Sequence, residues 1–431
     1  MVEESHRCSN VVRGWRRRLV LAVVAIVALA ATAARLPVEA ALAEPSTQVQ
    51  AAQGSQTAQG DQAAQILAIA REVMEQYHLN AVILRVTVDG KEIVTAAFGE
   101  SMTGVPATTD MHFRNGAVAI SYVAMLVLTL VDDGVLRLDD PLSTWMPELP
   151  DADQVTLRML LNMTAGYQDY VSDQGFQRDF YANPFRQWTP EELVAISLSQ
   201  PRVFAPGANW DYAHANYVIL GLALERATGR PVADLLRERV LGPLGLTNTV
   251  GSVTAAIPEP ALHAFSSERR DFLGIPAETP FLEETSFWSP SWTITHGAIQ
   301  TTNIYDMAAS AVAIGEGTLL SPASHQAMVA PSLLGFGSPL EGCNTCHTLD
   351  NYYNYGLGVV RSGNWLLQNL LLNGYGGTMA YLPGKKIAIA FEITYTEQSS
   401  EPEDIRQAAR VALFHSIGSY LAPDDAPPTG P

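Results

Sequence analysis

Few residues of this chain have the types and spacing to do chemistry, and most of them fall in two stretches. The first is Trp210-Asp211-Tyr212-Ala213-His214. A phenol and an imidazole two residues apart could share acid–base work, since an imidazole titrates near neutrality. The plainer reading is a packed aromatic beside a histidine that contacts a ligand or braces the fold. The second stretch is Cys343-Asn344-Thr345-Cys346-His347, which fits the Cys-x-x-Cys-His spacing used to attach haem. The alternative is a disulfide closing a small loop in an oxidising compartment. No axial methionine is indicated and no helix-rich cytochrome pattern surrounds the motif. We therefore read a Cys343–Cys346 disulfide, with no haem or other cofactor and no metal site. Ser121 and His296 are weaker candidates, and Ser121 has no base at a fitting spacing.

The elements that must position these groups follow from periodicity. Residues 66–77 carry apolar side chains at helical spacing. Residues 81–88 and 92–98 are β-branched-rich runs joined through Asp89-Gly90, a strong hairpin signal because both residues tolerate positive φ. Residues 117–131 are almost continuously apolar and end at Asp132-Asp133-Gly134, which predicts a buried core helix and not a membrane span. Further helices are expected over 216–228, closed by Gly229, and over 232–240. Residues 365–372, 378–382 and 387–394 read as strands, the last two joined by a Pro383-Gly384 turn, and 405–421 as an amphipathic closing helix. The pattern is an α+β domain whose sheet is assembled from both ends of the chain.

The 431 residues, 47% hydrophobic and 16% charged, allow one large domain or two small ones. Arg13, Arg16, Arg17 and Arg18 precede an apolar run over 19–34, and Ala41-Leu42-Ala43 offers a cleavage site between small residues. Residues 1–43 are read as a signal peptide, which implies a protein that is secreted or kept in the cell envelope. An uncleaved anchor is the other reading. Arg35 and Pro37 interrupt the run short of the ~20 apolar residues a span needs, so no stable membrane span is expected after cleavage. Residues 44–65, rich in Gln, Ala, Ser and Thr, predict a disordered linker, 66–421 the folded domain and 422–431 a disordered tail. The net charge is −18 and the leader is basic, so the mature chain is more acidic still. Such a surface repels phosphate backbones and anionic lipid, which argues against nucleic acid as a partner and against electrostatic membrane docking.

From Phe113 the chain reads Phe-Arg-Asn-Gly-Ala-Val-Ala-Ile, then Leu-Val-Asp-Asp-Gly-Val-Leu-Arg-Leu-Asp-Asp-Pro. Similar landmarks follow over 156–166, 217–249 and 297–307. Their order resembles the serine β-lactamase and DD-peptidase family, the penicillin-binding-protein-like group related to class C β-lactamases, over roughly residues 81–394. The resemblance implies the β-lactamase/transpeptidase-like fold: a five-stranded antiparallel sheet flanked by helices plus a helical lobe, with the active site between them.

The family attacks its substrate with a serine at the start of the buried helix, and a lysine one turn later takes the proton because i and i+3 lie side by side. Here those positions are Ala117 and Ile120. Of the second motif, Tyr-x-Asn, Tyr212 survives and His214 replaces the amide, which implies a ligand-contacting role for His214. Aligned with the third motif, Lys-Thr-Gly, are Gln368, Asn369 and Leu370. The cation is gone, and Leu370 adds bulk where glycine leaves room for the ligand. Residues 368 and 370 face one side of the strand. The backbone N–H of Ala117 can still serve as half of an oxyanion hole, which needs no side chain. The expectation is an exported, non-catalytic member of the family, a pseudoenzyme, holding a peptide, a peptidoglycan fragment or an envelope protein in the old cleft. The rival is a working hydrolase, β-lactamase, DD-carboxypeptidase or esterase, using rearranged groups.

Overall fold

Asp89 (φ 48°) and Gly90 (φ 73°) make the tight turn that joins β1 (Leu79–Val88) to β2 (Lys91–Met102). The computed structural model describes residues 47–400 and 403–430; the expected leader, residues 1–43, lies outside the described residues. The chain divides into two units, Met1–Ala52 and Gln53–Pro431, and the second holds the sheet and the core.

The hairpin is one end of an antiparallel sheet that continues with β3 (Val105–Pro106) at one edge and, from the C-terminal part of the chain, β4 (Asn354–Tyr355), β5 (Val360–Ser362), β6 (Trp365–Leu372), β7 (Tyr375–Leu382) and β8 (Ile387–Tyr395). The order is β3-β2-β1-β8-β7-β6-β5-β4, and β1 pairs with β8 from Leu79↔Tyr395 to Val88↔Ile387. Both ends of the sequence therefore build one sheet, as the periodicity implies. The expected five strands become eight because chain returning at each edge pairs for two or three residues, adding β3, β4 and β5.

Helices cover both faces. The buried run forms α2 (Ala119–Asp132), preceded by a 3₁₀ turn over Gly116–Val118, and every residue from Ala119 to Leu128 is buried. Such all-round burial explains a run with no polar stripe. A further helix, α3 (His214–Thr228), ends at Gly229 in a left-handed C-cap, as its position in the sequence predicts. Helix α4 (Ile304–Glu316) packs on β8, β7 and β1, and α5 (Glu403–Leu421) lies across β7 and β8. Gly315 of α4 sits against Tyr381 and Arg410 of α5 reaches Thr378. Residues three apart on a strand point to opposite faces, so α4 and α5 sandwich the sheet.

Two boundary expectations are corrected. The stretch 44–65 is not a disordered linker from Thr47 onward: α1 spans Thr47–Gln76. Its Ala- and Gln-rich composition has good helix propensity, and Ile66, Ala70 and Val73 bury one side of its last turns in the core. The tail 422–431 is ordered as far as residue 430. The Trp365 indole N–H donates to Asp425 O at 2.7 Å, and Asn364 Nδ2 donates to Asp425 Oδ1 at 2.8 Å. A buried indole needs such a partner, and the proline-rich segment supplies it from a short 3₁₀ turn at Pro423–Asp425.

Candidate functional site

The start of α2, the start of α3 and the strand β6 converge on one cavity of about 670 Å³. Ala117 and Ile120 lie on its wall, as do Tyr212, His214, Gln368 and Asn369. All but one of the positions matched to the family motifs are thus brought together.

The exception is Leu370, which does not line the cavity. It is fully buried with its Cβ against Gly116, where an added Cβ would come within 2.9 Å of it. Its bulk fills the space under the Ala117 turn and does not crowd the ligand space, because Gly116 has no side chain and adopts φ 46°. Gln368, on the same side of β6, is buried and donates through Nε2 to Gly358 O at 2.7 Å. It is held as a structural amide. Ser121 is fully buried and donates to Val118 O at 2.7 Å, and His296 is exposed and off the cavity wall.

His214 has a partner that sequence spacing did not reveal. Its Nδ1 lies 3.1 Å from Asp169 Oδ2, and its backbone N–H donates to Asp169 Oδ1 at 3.1 Å. Asp169 caps two elements at once, the first turn of α3 and a short 3₁₀ turn at Tyr170–Ser172. The only local signal is an acid immediately before a short helical turn. With Nδ1 engaged, Nε2 is the ring nitrogen left to a ligand. Tyr212, Trp292 and Tyr170 surround the imidazole at ring-centroid distances of 5.5, 5.8 and 6.1 Å. Burial pushes the Tyr212 phenol well above its ordinary range, so it stays protonated and can donate but not act as a base near neutrality.

Another wall is the disulfide-closed loop. Cys343 and Cys346 are bonded with Cα atoms 5.4 Å apart, which consumes the sulfurs that haem attachment would need. Thr345 between them accepts the Tyr212 N–H at 3.2 Å and donates to the buried Asp211 carboxylate. Burial raises the pKa of Asp211, opposed by that hydroxyl. Asn209 and Ser338 pin the loop further through two hydrogen bonds of 2.9 and 3.0 Å. Among the described residues the one grouping of potential metal ligands is Asp211, Cys343 and Cys346, with ligand atoms within 4.8 Å of one another. While the sulfurs are joined, that grouping offers a metal no thiolate.

Fold and motif positions together place the chain among β-lactamase-related proteins. The chain belongs to the Beta-lactamase family, whose model matches residues 66–414. It is similar to Penicillin-binding protein 4 of Amycolatopsis lactamdurans, 33% identical over 195 residues that cover 43% of this chain and 47% of that protein. Esterase EstB of Burkholderia gladioli is 31% identical over 197 residues, 43% of this chain and 50% of the esterase. In both alignments the chain spans about half the relative's length. The D-amino acid amidase of Ochrobactrum anthropi SV3, solved with L-phenylalanine, shares the fold with a TM-score of 0.66 at 22% identity, covering 81% of this chain and 97% of that one.

Proposed function

We propose that this protein is an exported, non-catalytic member of the family that holds a peptide, a peptidoglycan fragment or an envelope protein in the cleft. The observation that carries this reading is the pair on the cavity wall at the nucleophile and base positions, Ala117 and Ile120. A methyl group cannot attack a carbonyl and a butyl chain cannot accept a proton. The Tyr212 phenol, held protonated by burial, does not replace the missing base. What the cavity keeps is suited to binding: an oriented imidazole, a ring of aromatics and a braced loop. The penicillin-binding relative supports an envelope ligand, and the disulfide supports a compartment outside the reducing cytosol. Among the described residues no helix is long and apolar enough to cross a membrane.

The His214–Asp169 pair favours a second reading, a hydrolase with rearranged groups, because a carboxylate that fixes an imidazole is also how a general base is oriented. One experiment separates the two. Intact-protein mass spectrometry after incubation with a fluorescent penicillin and with a fluorophosphonate should show no adduct on the wild type. A stable adduct mapped to any cavity residue would falsify the non-catalytic reading. The variant Ala117→Ser/Ile120→Lys is expected to remain inactive as well, since Gln368 supplies no cation where the family has lysine.

A further inference from the structure

The cavity that reaches Ala117 does not end there. β5 pairs with β6 only from Trp365 to Leu367, which leaves the rest of β6 with a free edge. The cavity's lining continues onto the sheet's other face, where Leu367 and Leu371 of β6 and Val411 and Phe414 of α5 form its wall. Arg410 lines this arm too, and it is the only lysine or arginine among the described residues that line the cavity.

Arg410 is 6% exposed. Its Nε has no partner, its Nη1 meets Thr378 Oγ1 at 3.4 Å, and among the described residues no carboxylate forms an ion pair with it. Tyr352, Tyr353 and Tyr395 lie around it, and burial holds the phenols of Tyr353 and Tyr395 above their ordinary range, so neither serves as a counter-ion. A guanidinium does not deprotonate in proteins. A buried cation without an anion is unfavourable, and here the space beside it is open to a ligand. One guanidinium fork matches one carboxylate in bidentate fashion. A phosphate dianion would call for further cations, and no other lysine or arginine among the described residues lines the cavity.

We propose that this arm binds the carboxylate of an aliphatic organic acid, with the head group on Arg410 and the chain along Leu367, Leu371, Val411 and Phe414. The proposal rests on the reading of the cavity as a ligand site and assigns its further arm an occupant of its own, beside the ligand of the cleft at Ala117.

Dodecanoate and dodecanol, identical in chain and different in charge, are the probes, titrated into the full protein and followed by calorimetry. The wild type should bind dodecanoate at least about ten-fold more tightly than dodecanol. Arg410→Met should remove that difference by weakening dodecanoate alone, and Arg410→Lys, which keeps the charge without the fork, should fall between. Removing an unpaired buried charge does not threaten folding, and unchanged dodecanol binding by Arg410→Met is the internal control. A wild type that does not prefer the acid, or an Arg410→Met variant that binds dodecanoate as the wild type does, overturns the proposal. Neither result touches the non-catalytic reading, which fails on a covalent adduct instead.

Discussion

Glu392 stands on β8 with no solvent exposure, and neither of its carboxyl oxygens has a hydrogen-bond partner. Burial alone raises its pKa well above 4.5, so the folded protein keeps the proton. The sign of the effect on stability follows. Below about pH 4.5 the group is protonated in both states and makes stability no more dependent on pH; as pH rises, the unfolded chain releases the proton and the folded one does not. Each pH unit then removes about 1.4 kcal/mol, until the folded-state pKa is reached. Glu392→Gln should therefore melt close to the wild type at pH 4 and progressively above it towards pH 7. Equal melting differences at the two pH values would refute this. Sequence reasoning gave no hint of Glu392, because an acid in an apolar strand looks the same whether its carboxyl faces water or the core. Asp169 was illegible for a related reason: it meets His214 across 45 positions, through a cap that only the fold creates. Ala117, Ile120, Tyr212 and His214 were legible because they sit in motifs whose order survives even where the chemistry does not.

Among the elements, the five long strands were read nearly to their ends, except that β2 runs on past 98 to Met102 and β7 begins at Tyr375 and not at 378, while the short edge strands β3, β4 and β5 went unread. Gly376 and Gly377 hid those residues, since glycine reads as a turn. They pair with β6 and β8 as strand residues, and must be glycine because an added Cβ would come within 2.0 Å of the Tyr395 hydroxyl and 2.5 Å of Glu392 Oε2. The same kind of close approach joins the 3₁₀ turn before α2 to β6, where Gly116 meets Leu370. Gly116→Ala should cost about 1–3 kcal/mol from overpacking and from its positive φ. Leu370→Ala should cost about 2–4 kcal/mol from the cavity it leaves. If this contact sets the position of the Ala117 turn, the double variant will lose less than the sum, because the truncated side chain makes room for the added methyl. Urea unfolding of the four proteins measures the coupling, and strict additivity would show that the two elements are positioned by other contacts.

At the scale of the whole molecule, the two ends of the domain's chain close one sheet, since β1 of the N-terminal hairpin pairs with β8 from the C-terminal part. The segment after α5 completes the closure. Ala422 is fully buried, Pro427 lies against Gly418 beside Trp365, and Asp425 accepts the indole N–H and the Asn364 amide. Trp365 in turn packs edge-on to Phe414, at 5.3 Å between ring centroids, and Phe414 forms part of the cavity wall. A segment that composition alone marks as a tail is therefore coupled through two aromatic rings to the ligand space. Deleting residues 423–431 removes the hydrogen bonds to Asn364 and Trp365, worth about 1 kcal/mol each, together with the Lys385–Asp425 ion pair, and uncovers the Trp365 ring. The loss should total about 2–4 kcal/mol with apolar exposure included. A single cooperative transition is expected to persist at lower temperature, because no independent unit is being removed. Trp365→Phe, which loses the indole bond and leaves a void in a fully buried site, should cost about 2–3 kcal/mol. Thermal unfolding followed by tryptophan fluorescence tests both. A deletion variant as stable as the full chain would mean that the segment rests on the surface without holding it.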